Sequence, residues 1–182
     1  MADFALPTLA IAAAVLLVGA GVAHLGRPGD LRAALDAQRL LPPVGRAAVA
    51  RLLGAGEVAV GLAAGWQLLT GRTGAPGLAG LAVALVGLGF AVLLVVLLRY
   101  RPGTPCGCAG GTDPVTVADL GRAVTVLTGG LALTADASGR WLGLDGAERA
   151  TTLLAGLALA LTVDLAARSH RTAIVDLGGV TP

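Results

Sequence analysis

The residues best suited to chemistry are the chain's only two cysteines, which lie one residue apart as Cys106-Gly107-Cys108. Two cysteines in 182 residues rarely fall so close together by chance, and these occupy a loop rich in Pro and Gly. A disulfide between them would close a loop of almost no length and add little chain-entropy stabilisation. Such a ring should be strained, and strained disulfides are the more easily reduced kind. The spacing favours a thiol–disulfide redox pair; soft-metal binding by the two thiolates and an inert pair remain alternatives.

Ionisable side chains within apolar segments are the second candidate feature. Glu57 lies in the middle of a long apolar run, where an ionisable group costs at least a few kcal/mol and is a functional-site hypothesis by default. It could stay protonated, pair with Arg122 or His24, relay a proton during thiol oxidation, or form a structural hydrogen bond between helices. Arg122 follows the cysteines closely, and a cation beside a thiol raises its thiolate fraction. A histidine such as His24 is more often a satisfied interfacial residue than a proton carrier.

Residue spacing also predicts two ion pairs and a set of interfacial rings. Asp119 and Arg122 are spaced i,i+3, and Asp164 and Arg168 are spaced i,i+4, so each pair shares a helix face. The aromatic residues near predicted span ends suit the interfacial position that such rings prefer: Trp66, Tyr100 and Trp141.

The cysteine motif belongs to a longer pattern with a family resemblance. The string PCGCAGG, then DPVT, then DLGRA at a helix start, resembles the signature of the methylamine-utilisation protein E (MauE) family of DoxX-like membrane proteins. Upstream, GVAHLGRPGDLRAAL and LLPP resemble the exit of that family's first helix, with His24 where Lys is usual. LLGAGEVAVGLAAG resembles its second helix, with Glu57 inside. The similarity extends to about Ala135, with Ala109 and Ala123 replacing the usual Phe and Asn.

This resemblance implies a membrane partner of a thioredoxin-like protein, making or maintaining disulfides in exported proteins. Electrons would pass from a partner dithiol to Cys106 and Cys108, as in a thiol–disulfide oxidoreductase. They would then pass to an acceptor such as a quinone, with His24 and Glu57 near it. Arg122 and Glu57 would tune charge and proton flow. Two other functions stay open: soft-metal binding or transport through the cysteine thiolates, and a non-catalytic scaffold subunit of a larger membrane complex.

Composition predicts the environment of these residues. Hydrophobic residues make up 55% of the chain and charged residues 13%, about half the charged share of an average soluble domain. The 28 glycines suit membrane helices, which approach each other closely through small residues. Basic residues are scattered singly and aromatic residues are only 3%, so nothing indicates a nucleic-acid partner. The expected contact is membrane lipid.

The hydropathy pattern predicts an all-α polytopic transmembrane helical bundle in a single membrane domain, residues 1–182. A four-helix core and a fifth C-terminal helix would span the membrane at about 4–25, 44–69, 77–98, 115–135 and 147–167. The first span is expected to be a retained helix rather than a signal peptide, because Asp3 is the only charge before it. A short amphipathic helix should follow it at the interface, or as a lid on the bundle. A redox loop at about 99–114 and an exposed tail at 168–182 complete the prediction.

Sidedness is where two expectations conflict. Five spans place the first loop, the cysteine loop and the C-terminus on one side, together with most of the arginines: Arg27, Arg32, Arg39, Arg46, Arg99, Arg101, Arg168 and Arg171. Only Arg72, Arg140 and Arg149 are assigned to the other side, so the positive-inside rule favours a cytoplasmic cysteine loop. Disulfide exchange belongs in oxidising compartments, which favours an extracytoplasmic loop on the inner membrane of a bacterium. We adopt the second expectation.

Overall fold

The computed structural model describes residues 2–39, 42, 45–71, 77–107 and 113–178. Within these ranges the chain forms seven α-helices in the order α1 Ala2–Gly26, α2 Pro28–Gln38, α3 Arg46–Thr70, α4 Leu78–Tyr100, α5 Val117–Thr134, α6 Ala137–Gly143 and α7 Gly146–Gly178. No strand occurs among the described residues. The predicted all-α fold is therefore confirmed.

Five of these helices are long and apolar enough to cross a membrane, by length and composition: Phe4–Gly26, Arg46–Thr70, Leu78–Tyr100, Val117–Thr134 and Gly146–Ser169. They correspond in order to the five predicted spans, so the chain is a multi-pass helical membrane protein. One boundary differs from the prediction. Helix α7 continues to Gly178, where the sequence indicated an exposed tail from residue 168.

Helix α1 lies at the centre of the bundle and packs against α3, α5 and α7, while α4 packs chiefly on α5. Helices α3 and α4 touch each other much less, which leaves a cleft between them. The main core is built from small and aliphatic side chains around α1, such as Ala12, Leu17 and Leu68. A second cluster lies beside the cysteine loop and joins Cys106 to Leu94, Leu97, Val115 and Ala123.

Glycines set the close crossing of α1 and α3. A Cβ added at Gly21 would lie 2.7 Å from the carbonyl oxygen of Gly54, and one added at Gly54 would lie 3.0 Å from the Cβ of His24. Real Cβ atoms rarely approach so closely, so these helices meet at this distance only without side chains there. Gly54 precedes Glu57 by three residues, so the crossing brings Glu57 within reach of α1.

Helix α2 is the predicted amphipathic helix, and its apolar face packs on protein. Leu31, Ala34 and Gln38 are buried, while Asp36 on the outer side forms an ion pair with Arg46 at the start of α3, with Nη1 and Oδ1 2.7 Å apart. Arg39 ends the helix in the left-handed conformation, with φ of 51°. The helix thus covers one end of the bundle, as the lid alternative proposed.

A short helix not identified from the sequence, α6, joins the fourth and fifth spans. Its Trp141 is 4% exposed and belongs to the main core, so the prediction of an interfacial ring there is wrong. The indole is buried because α6 folds back onto α1 and α3. Trp66 and Tyr100 are 64% and 75% exposed near the ends of their helices, as an interfacial position requires.

Candidate functional site

The cysteine loop begins as a short antiparallel pairing between α4 and α5. Pro105 and Pro114 form an isolated bridge, and the amide of Cys106 donates to the carbonyl of Asp113 at 3.2 Å. Cys106 is 5% exposed, and no cysteine in the described ranges carries a free thiol. Cys108 and Ala109, both part of the predicted redox loop, lie outside the described residues. The pairing brings the two ends of the loop together directly above the start of α5.

The loop is followed by a strong helix start. Thr116 is the N-cap of α5, and its side chain and the Asp119 side chain form a capping box. The backbone amide and the hydroxyl of Thr116 donate to Oδ2 of Asp119 at 2.9 Å and 2.8 Å. Asp119 is 1% exposed, and this arrangement satisfies amides that a helix end leaves open. The capping box therefore fixes where the loop ends.

Gln38 of α2 holds the first part of the loop. Its Nε2 donates to the carbonyl of Pro105 at 3.0 Å and to the carbonyl of Cys106 at 3.1 Å. The backbone carbonyl of Gln38 accepts a hydrogen bond from the Arg101 guanidinium. Gln38 is 2% exposed, so these bonds satisfy groups that would be costly to bury alone. One buried amide thus ties α2 to two consecutive loop carbonyls.

Gly107, between the two cysteines, fits closely against the same helix. Its φ is 70°, a conformation that L side chains rarely adopt. A Cβ at this position would lie 2.8 Å from the Cβ of Ala34 and 3.1 Å from Cδ1 of Leu31. Both the backbone conformation and the space therefore require glycine.

His24 of α1 links the loop to the buried carboxylate. Its Nδ1 lies 2.6 Å from Oε2 of Glu57, and its Nε2 lies 2.7 Å from the carbonyl oxygen of Gly107. His24 and Glu57 are 1% and 2% exposed. Of the pairings that the sequence left open for Glu57, the structure shows the one with His24.

The hydrogen bonds of His24 define its protonation. A carbonyl oxygen only accepts, so Nε2 must carry hydrogen and donate to Gly107. One further proton must then lie between Nδ1 and Oε2 of Glu57, on either atom. The pair as a whole is neutral in both forms, an imidazolium with a carboxylate or an imidazole with a carboxylic acid. Neutrality removes most of the cost of burying these groups.

Arg122 of α5 faces the same part of the bundle interior as Glu57. Glu57, Asp119 and Arg122 line one small cavity, and the charge of Arg122 acts on His24. Arg122 forms an ion pair with Asp164 of α7, with Nη2 and Oδ1 3.1 Å apart. Asp164 also binds Arg168, with Nη2 and Oδ2 2.7 Å apart, which confirms the predicted i,i+4 pair. The structure therefore brings His24, Glu57 and Arg122 together.

The space beside His24 and Glu57, where the sequence suggested a quinone, is small. Both ring nitrogens of His24 have protein partners, and the cavity beside Glu57 has a volume of about 40 Å³. Sites for organic ligands are usually several hundred cubic ångströms. The cleft between α3 and α4, with a volume of about 400 Å³, is of that size; its lining is almost entirely apolar, includes Phe90 and Val49, and reaches Gln38.

Metal ligands do not converge in the described ranges, where no group of three or more His, Cys, Asp or Glu side chains could hold an ion.

Three residues that build the site were not predicted from the sequence to take part in it: Gln38, Arg101 and Asp164. A polar Gln38 on the apolar face of α2 was a usable signal. The roles of Arg101 and Asp164 were not identifiable, because the residues that they contact in the site are far away in the sequence.

The fold and site define a class: multi-pass membrane proteins in which ionisable side chains from three spans meet behind a cysteine loop. Within that class, the family model described as methylamine utilisation protein MauE matches residues 2–137, most of the chain. The chain belongs to the MauE family, as the sequence motifs indicated. Helix α7 lies beyond the matched residues. No curated protein and no solved structure matches the chain.

Proposed function

We propose that this chain is a membrane thiol–disulfide redox protein, a thiol–disulfide oxidoreductase that passes electrons between a thioredoxin-like partner and an acceptor through Cys106 and Cys108. The observation that carries the proposal is the hydrogen bond from His24 to Gly107, the residue between the two cysteines. The protein holds the carbonyls of Pro105, Cys106 and Gly107 with buried side chains. A loop without a chemical function would not require the buried, ionisable His24–Glu57 pair behind it.

The proposed exchange conserves atoms and electrons. A thiolate of the partner attacks one sulfur of the Cys106–Cys108 disulfide, and a mixed disulfide forms while the other cysteine leaves as a thiolate. The second partner thiol then attacks the mixed disulfide and releases the reduced cysteine pair. Two electrons and two protons have moved from the partner dithiol to this chain. The absence of a free thiol among the described residues fits an oxidised starting state.

Glu57, His24 and Arg122 are proposed to handle charge during this exchange. The neutral His24–Glu57 pair can give or take one proton near the loop, and its hydrogen bond to Gly107 makes it sensitive to the loop's position. The positive charge of Arg122 acts on His24, and we propose that it also favours the thiolate form of the cysteine pair. These residues tune protonation and do not form covalent intermediates.

Return to the disulfide requires a two-electron acceptor, and a quinone would take up two electrons and two protons. The α3–α4 cleft is larger than the cavity beside His24 and Glu57, so we assign the quinone to the cleft. Gln38 at the end of this cleft is hydrogen-bonded to the carbonyl of Cys106. That contact places the cleft next to the cysteine loop.

The cysteine loop is proposed to face the extracytoplasmic side of a bacterial inner membrane, against the arginine distribution. Disulfides persist in oxidising compartments. Several arginines on this side have protein partners: Arg46 binds Asp36, Arg101 binds Gln38 and Arg168 binds Asp164. These arginines therefore have structural roles within the protein, so their location need not report the orientation of the protein in the membrane.

The test is differential thiol trapping with single cysteine variants. In intact cells, a membrane-impermeant maleimide should label the wild-type protein only after reduction, which reports both sidedness and oxidation state. The purified, oxidised wild-type protein should form a mixed disulfide with a thioredoxin whose second active-site cysteine is replaced by serine. The Cys106→Ser and Cys108→Ser proteins should not, because they have no disulfide for the thioredoxin thiolate to attack. Thr104→Ser, in the same loop, should behave as the wild type.

The proposal fails if both cysteines are labelled without reduction and never form the mixed disulfide. Stoichiometric Zn²⁺ or Cu⁺ binding that is lost on alkylation would point instead to soft-metal binding. Cysteines that resist every reagent, in a protein that co-purifies with other membrane subunits, would point to the scaffold alternative.

A further inference from the structure

A small cavity lies inside the bundle beside Glu57. It shares Leu94 and Ala123 with the cluster that contains Cys106. Its walls are mostly apolar side chains from α1, α4 and α5, but three of the lining residues are ionisable: Glu57, Asp119 and Arg122. Its volume of about 40 Å³ is room for about three or four water molecules, since one needs roughly 10–15 Å³ of such space. A cavity with charged walls differs from the purely apolar cavities that stay dry.

Glu57 supplies an unsatisfied oxygen to this region. Its Oε2 is bonded to His24, whereas Oε1 has no hydrogen-bond partner among the described residues. Glu57 is 2% exposed, and a buried carboxyl oxygen left without a donor costs about 1–3 kcal/mol or more. Buried waters usually satisfy such groups.

A groove on the outside of the bundle shares part of its lining with this cavity. The groove between α1 and α7 shares Leu16, Ala20 and Arg122 with the cavity, and it extends to Asp164 and Arg168. The Arg168 side chain is 68% exposed. The guanidinium of Arg122 therefore stands between the interior space and a groove that reaches the surface.

From these contacts we infer that the cavity is a water site that exchanges the proton shared by His24 and Glu57 with the groove at Arg122. Water there donates to Oε1 of Glu57 and accepts from Arg122. The path enters the bundle between α1 and α7 near Arg168, which five spans place on the same membrane side as the cysteine loop. The water site is independent of the cysteines, whereas its use in thiol chemistry rests on the proposed function.

Solid-state NMR of the full-length protein in liposomes tests this directly. The chain has two glutamates, Glu57 and Glu148, so labelling the glutamate carboxyl carbon with ¹³C gives two signals, and Glu57→Gln assigns them. Magnetisation transferred from water should reach the Glu57 carbon as well as that of Glu148, at the N-terminal end of α7. A wild-type Glu57 signal without transfer from water would overturn the inference.

Filling the cavity provides the matched comparison. Ala123→Leu adds a side chain to the cavity wall, so the water transfer to Glu57 should be lost. Val124→Leu, on the next residue and 44% exposed, should leave it unchanged. Persistent transfer in a folded Ala123→Leu protein would contradict the site. None of these readouts needs Cys106 or Cys108, so failure of the redox proposal would leave them unaffected.

Discussion

His24 donates a hydrogen bond from Nε2 to the carbonyl of Gly107, 2.7 Å away and 83 positions along the chain. The other ring nitrogen is bonded to Glu57. The conformation of the cysteine loop and the protonation of a buried carboxyl group are therefore linked through one imidazole. Any change in the loop that moves Gly107 must alter the environment of the proton that His24 and Glu57 share.

Replacing Glu57 should separate the roles of charge and hydrogen bonding. Glu57→Leu leaves Nδ1 of His24 buried without a partner, so we expect a loss of about 1–3 kcal/mol in unfolding free energy. Glu57→Gln can still hydrogen-bond a neutral imidazole and should lose less. Thermal unfolding in detergent measures the difference. Equal stability of both variants would contradict a stabilising role for the pair.

Gly107→Ala should destabilise the loop more than Gly103→Ala. Both residues have positive φ, 70° and 81°, but only Gly107 has neighbours within 4 Å of an added Cβ. The backbone strain of about 1–2 kcal/mol is common to both variants, and the contact with Ala34 adds about 1–3 kcal/mol. Melting temperatures of the two proteins provide the comparison. If Gly103→Ala is the more harmful change, the contact between Gly107 and α2 is not the cause.

Gln38→Ala should loosen the start of the cysteine loop. It leaves the carbonyls of Pro105 and Cys106 without their donor, so local opening should become easier by about 1–3 kcal/mol. Hydrogen exchange of a peptide covering residues 104–107 should accelerate. Gln67→Ala removes another buried glutamine, 4% exposed on α3, and is the control. Similar acceleration in both variants would indicate general destabilisation rather than loss of this contact.

Asp164→Ala should cost more stability than Arg168→Ala, although the two residues form one ion pair. Asp164 also binds Arg122, whose side chain is 11% exposed, and loss of a partner for a buried charge costs about 1–3 kcal/mol or more. Arg168 is 68% exposed, and exposed pairs contribute about 0–1 kcal/mol. Urea or thermal unfolding distinguishes them. Equal losses of unfolding free energy in the two variants would mean that Asp164 contributes little to stabilising the charge of Arg122.

The membrane fold and the candidate residues were predictable from sequence because their signals are local. Apolar runs such as α4 are long enough to span a bilayer whatever packs beside them. The Cys106-Gly107-Cys108 spacing and the position of Glu57 in an apolar run are also visible in a few residues. The pairing of Asp164 with Arg168 follows from one turn of helix.

Contacts between distant segments were decided by the tertiary structure alone. His24 was one of two partners that the sequence offered for Glu57, and the close crossing of α1 and α3 at Gly54 selected it. The sequence predicted Asp119, one turn away, as the partner of Arg122, and the structure shows an ion pair of Arg122 with Asp164, which α7 supplies from a distant part of the chain. Gln38 can hydrogen-bond the cysteine loop because α2 folds back over the end of the bundle. Composition and periodicity determine which segments enter the membrane, but helix packing determines which polar groups meet there, since each must find a partner away from water.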